Sequence, residues 1–123
     1  MFTYTATVMR WIDGDTVDLE IDLGFKTAVK DRFRLYGIDT PELRPKKADF
    51  ASEEERREEI KKADAALAYC EKIAPVGTRL VVRTFKDEKG KYGRWLADLH
   101  IPEEQRTLNE MLVAEGHAKL ASF

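Results

Sequence analysis

One cysteine, Cys70, is too few for an internal disulfide, so this 123-residue chain must hold itself together by packing alone. Histidine is almost as scarce. His100 and His117 stand isolated, and without a Cys/His cluster there is no basis for a zinc centre. Neither sign of charge dominates, since the formal net charge is −2, so attraction to a polyanion would have to come from a local patch. No apolar run approaches the length of a membrane span. The opening residues, MFTYTATVMRW, alternate instead of forming the apolar core of a secretory leader, and a cytoplasmic setting is the expectation. Repeats, low-complexity stretches and linkers are missing as well, which points to a single domain over residues 1–123.

What is present is alternation. Phe2, Tyr4, Ala6 and Val8 alternate with threonines, as a half-buried strand does. Asp13-Gly14 then marks a tight turn, and Val17, Leu19 and Ile21 alternate with acids as a second strand until Gly24 breaks it. Residues 26–36 read as a third strand. Ser52 followed by Glu55 is a capping box that opens a helix, with Ile60, Ala63, Leu67, Cys70 and Ala74 on one face. Glu53–Arg57 and Glu58–Lys62 are spaced for ion pairs on the solvated face, and Pro75 and Gly77 end the helix. Leu80 to Phe85 and the alternating Trp95, Ala97, Leu99 and Ile101 are two more strands, with Trp11, Phe85 and Trp95 expected in the core. Thr107 with Glu110 opens a second helix, and Gly116 sits where a C′ glycine would end it. The order β-β-β-α-β-β-α predicts an α+β protein: a five-stranded OB-fold-type β-barrel with two α-helices packed against it.

Polar residues crowd three strand ends: Asp13-Gly14-Asp15-Thr16, the run from Arg34 to Glu42, and Lys91-Tyr92-Gly93-Arg94. Pro41 stiffens the middle run, which presents Asp39, the Thr40 carbonyl and Glu42 beyond a guanidinium. If folding gathers these ends, the carboxylates would repel one another unless a cation neutralised them, and Ca²⁺ or Mg²⁺ prefers such oxygen ligands. Paired arginines suit a phosphate, whose oxygens they can fork.

In order, D-G-D-T at 13–16, R-L-Y-G-I-D-T-P-E at 34–42, K-Y-G-R at 91–94 and N-E-M-L-V-A-E-G-H-A-K at 109–119 resemble the signature of the staphylococcal-nuclease-like (thermonuclease) family. The likeness runs from about residue 5 to residue 121. It implies a Ca²⁺-dependent nuclease acting on DNA and RNA, on single-stranded or frayed segments, and leaving 3′-phosphates. Asp15, Asp39 and the Thr40 carbonyl match metal ligands of that family. Glu42 matches the acid that positions or deprotonates the attacking water, Arg34 and Arg94 the arginines on the scissile phosphate, and Lys91 and Tyr92 the contacts to a terminal phosphate. Where the family carries a base-stacking aromatic near its end, this chain has Ser122, with Phe123 one place later. The alternative class is a barrel that binds nucleic acid or protein without cutting; Asp15, Arg34, Asp39, Glu42 and Arg94 together favour the enzyme.

Overall fold

Alternating side chains closed on themselves make the centre of this molecule. The computed structural model describes residues 2–86 and 95–121. Strands β1 (Phe2–Asp13), β2 (Thr16–Gly24) and β3 (Thr27–Leu35) form an antiparallel meander. After a short β4 (Ile38–Asp39) and a single 3₁₀ turn at Lys47–Asp49 comes helix α1 (Glu53–Ile73). Then follow β5 (Arg79–Lys86), β6 (Trp95–His100), helix α2 (Leu108–Ala114) and a short β7 (Lys119–Leu120). The barrel closes in the order β1-β2-β3-β6-β5, with β3 and β6 parallel and β5 returning to β1. That is the five-stranded OB-type architecture anticipated from the strand order.

Over most of the barrel, alternate side chains point inward. Ala6 and Val8, Val17 and Leu19, Phe33 and Leu35, Leu80 and Val82, and Leu99 fill the interior, where they are essentially fully buried. The two helices close it. Leu108 and Leu112 of α2 and Cys70 of α1 join the same core cluster. α1 presents small residues (Ala63, Ala66, Cys70), so its backbone lies close to the barrel. The Trp11 indole N–H donates to the Ala74 carbonyl at 2.8 Å, pinning the end of α1 to β1. Among the described residues no helix is long and apolar enough to cross a membrane.

Local signals decide the helix ends. Ser52 Oγ accepts from Glu55 N–H at 3.2 Å, but the Glu55 carboxylate reaches back to Ala51 N–H, so the first capping box is only half made. The second is complete, with Thr107 and Glu110 bonded reciprocally. α2 ends with His117 N–H on the Leu112 carbonyl and Gly116 N–H on the Val113 carbonyl, and Gly116 holds φ +79 as this cap requires. The cap turns the chain back so that β7 pairs with β4, setting Asp39 opposite Lys119.

Two expectations change. Trp95 is 37% exposed, because at the start of β6 it is Leu96 and Ala97 that face inward. Phe85 is half-buried and stacks on the Tyr36 ring, with centroids 4.6 Å apart.

Candidate active site

The turn between β1 and β2 is built to hold one carboxylate still. Asp13 and Thr16 close the hairpin, leaving Gly14 and Asp15 at its tip. Asp13 Oδ1 accepts from the Asp15 N–H at 3.0 Å, and the Asp15 carbonyl accepts from Leu35 N–H at 2.8 Å. Asp15 is then buried to 6% exposure, its carboxylate taking the Thr16 hydroxyl on Oδ1 at 3.2 Å and the Thr40 N–H on Oδ2 at 3.1 Å. Gly14 is there for space. A Cβ at this position would stand 2.8 Å from Ala66 Cβ and 3.1 Å from the Thr40 side chain, so the turn is wedged between α1 and the loop after β4. The Cys70 thiol donates to the Gly14 carbonyl at 3.4 Å from the same helix face. Burial pushes that thiol well above its ordinary pKa, so it packs here and does not react.

Arg34 lies across from Thr16 in the β2–β3 register. Its Nη2 sits 3.6 Å from Asp15 Oδ2 and pairs directly with Asp39 Oδ1, so one guanidinium nitrogen is met by both carboxylates. Past Asp39, the loop is tied at two points: Thr40 N–H to Asp15, and Glu42 N–H to Glu59 Oε2 of α1 at 3.2 Å. These residues line a cavity of about 790 Å³. Asp15, Arg34, Asp39, Thr40 and Glu42 are therefore brought together as the sequence suggested, whereas Lys91, Tyr92 and Arg94 fall outside the described residues. Asp13, which supports the turn, also lines the cavity.

Other wall residues were not singled out for the site, although Gly116 to Lys119 belong to the motif at 109–119. Glu59, Lys62 and Ala65 of α1, Asp49 and Phe50 before it, and the segment from Gly116 to Lys119 complete the lining. Lys62 had the spacing of a solvated partner for Glu58, but Glu58 instead meets Lys61 at 3.5 Å. A helix face cannot be recognised as a cavity wall until the loop opposite it is placed. Among the described lining residues six carboxylates face three cationic side chains, Arg34, Lys62 and Lys119, so the cavity draws cations.

The acid excess shows in Asp13, whose carboxyl is raised to about 6 by burial first, then by the hydrogen bond and charge of Asp15. A carboxyl raised in the folded state favours folding most while protonated. Its contribution is full below about 3.8 and is lost as pH rises through about 6. Asp13→Asn keeps the acceptor for the Asp15 N–H and removes the titration. In EDTA its melting temperature should therefore pull ahead of the wild type as pH rises from 4 to 7 and stay ahead at pH 8. A constant gap across a series of thermal melts would contradict this cause.

Residues 32–123 match the family model described as staphylococcal nuclease homologue. No curated protein matches the chain.

Proposed function

This chain belongs to the staphylococcal nuclease homologue family, and on that premise we propose that it is a Ca²⁺-dependent nuclease that hydrolyses phosphodiester bonds of single-stranded or frayed DNA and RNA and leaves 3′-phosphates. The observation that carries the reading is the meeting of Asp15 and Asp39 on one nitrogen of Arg34 at the cavity wall. A buried carboxylate and an exposed one that share a single cationic point fit a divalent ion as well as a guanidinium. Among the described residues no three Asp, Glu, His or Cys side chains gather closely enough to hold a metal by themselves. The Thr40 carbonyl would accordingly complete the set with Asp15 and Asp39, all three being the hard oxygen donors that calcium takes. When bound, the ion would offset the charge of these acids and of the substrate phosphate.

The chain's own residues have separable tasks. Arg34 forks the non-bridging oxygens of the scissile phosphate, where negative charge grows as water adds to phosphorus. The family likeness gives Arg94 the same role. The Glu42 carboxylate, exposed at the mouth of the cavity, orients the attacking water and accepts its proton. The bond from phosphorus to the 5′ oxygen breaks, and that oxygen leaves with a proton from solvent. Lys91 and Tyr92 hold a terminal phosphate. Asp13 stays out of the metal and shapes the turn that aims Asp15.

The test is a gel assay on single-stranded DNA and on RNA with Ca²⁺, with Mg²⁺ and with EDTA. Cleavage with Ca²⁺ that stops on chelation, with 3′-phosphate ends on the products, is the expected result. Strands bound but left intact under every condition would assign the barrel to the non-cutting class.

A further inference from the structure

The β2–β3 pairing does not stop where the barrel does. It runs from Thr16 opposite Arg34 out to Gly24 opposite Thr27. β1 accompanies β2 only as far as Asp22, and among the described residues β6 accompanies β3 only at Phe33–Leu35. Among the described residues the outer half is therefore a two-stranded arm, and every residue from Asp22 to Arg32 is exposed. A free two-stranded arm is marginal by itself, so its length calls for a use.

Its tip is costly. Phe25 and Lys26 hold φ +54 and +63, a region that bulky side chains avoid and glycine or asparagine tolerates. Phe25 gains no packing in return, for its side chain is wholly exposed at 102%. Leu23 and Val29 below it are 44% and 46% exposed. From Leu23 to Lys30 the arm carries Lys26 and Lys30 and no acid, the reverse of the acid-rich cavity. Strain at a solvent-facing aromatic points toward a ligand, since nothing inside the fold repays it.

We propose that the tip of this arm is a second contact for the nucleic-acid strand, with the Phe25 ring stacking on a base and Lys26 and Lys30 meeting the flanking phosphates. One ring with two ammonium groups is too small for a protein interface but suffices for a base and its neighbours. Eight rungs at roughly 3.3 Å put the tip about 26 Å from Arg34 along the strands. If the strand keeps the helically stacked rise of about 3.4 Å per nucleotide, it needs some eight nucleotides to touch both places. The arm thus makes the protein prefer polymers to short fragments. This inference rests on the nucleic-acid reading of the cavity and deepens it.

The test is binding in EDTA, where cutting plays no part. Fluorescence anisotropy would follow labelled single strands of graded length, from about 4 to about 20 nucleotides, so as to bracket the reach of the arm. Wild-type affinity should climb once strands pass about eight nucleotides, and Phe25→Gly should erase most of that climb, about tenfold at the longest strand. Glycine suits the backbone at this position, so the same variant should melt no lower than the wild type. Loss of binding with retained stability is the signature expected of a contact residue. Wild-type affinity that ignores length, no binding at all, or Phe25→Gly binding like the wild type would each overturn the proposal. So would a dimer in the wild type that Phe25→Gly dissolves with binding unchanged. The outcome is independent of the cleavage assay: a protein that binds through Phe25 but never cuts sinks the nuclease reading alone, and one that cuts with Phe25 irrelevant sinks this inference alone.

Discussion

Arg34→Ala should reduce the rate of phosphodiester cleavage by at least about 10²–10³, the usual cost of removing one donor aimed at charge that develops in the transition state. The fall should lie mainly in kcat, because the guanidinium interacts most strongly with the phosphate once its oxygens gain charge. A second effect has a separate origin. Without Arg34, the buried Asp15 carboxylate and its neighbour Asp39 lose the cation that both contact, and a buried charge left unpaired is destabilising. Calcium should restore part of that stability in the variant, since it can take up the same two carboxylates. Arg34→Lys separates the two effects: an ammonium keeps the charge but not the planar fork, so it should recover stability better than turnover. Cleavage by Arg34→Ala within tenfold of the wild type would remove Arg34 from the chemistry.

Asn109→Ala should cost about 3 kcal/mol of folding free energy, read as a shift of the urea midpoint. The Asn109 side chain is 4% exposed and every polar atom of it is used. Oδ1 accepts from Leu99 N–H at 3.1 Å, while Nδ2 donates to the carbonyls of Tyr36 at 2.9 Å and Ala97 at 3.0 Å. One N–H donor and two carbonyls fix the amide's orientation uniquely. Ala97 keeps a partner when the amide goes, because Tyr36 N–H also donates to it at 2.8 Å. The buried Leu99 N–H would be left without this partner, at roughly 1–3 kcal/mol, and the Tyr36 carbonyl would lose this donor. Asn109→Asp should be worse than Asn109→Ala at neutral pH, since it aims a carboxylate at two carbonyl oxygens. A loss below about 0.5 kcal/mol would show that the amide is dispensable. Because Tyr36 leads through Gly37 to Asp39, this amide also sets where the second carboxylate begins.

Much of this was legible in the chain because the barrel strands are long enough to show their period. β1, β2 and β5 bury alternate residues as their sequences alternate, and α2 begins and ends where Thr107 and Gly116 say it should. The grouping of Asp15, Arg34, Asp39, Thr40 and Glu42 was legible only through the family likeness, since no local pattern joins a turn at 13–16 to a loop at 39–42. Other features were out of reach for physical reasons. β4 and β7 have two residues each, too few to carry any period. Trp95 reads as core by hydrophobicity, but a strand's first residue need not yet be inside the wall. The left-handed turn at Phe25 and Lys26 contradicts residue preference outright, and a sequence rule works only where preference is obeyed. Glu59 and Lys62 look like ordinary helix-surface charges until the loop at Glu42 is laid beside them.

The clasp of β4 on β7 joins Asp39 to Lys119, positions far apart in the sequence, much as β3 must wait for β6. Contacts so distant along the chain form late, after the loops between them have closed. During synthesis a polypeptide that has reached only as far as α1 already carries Asp15, Arg34, Asp39 and Glu42, yet lacks the strands that hold them in register. The pocket thus comes into being only once β7 has been made and docked on β4, and a nascent piece that stops short of it has no assembled site.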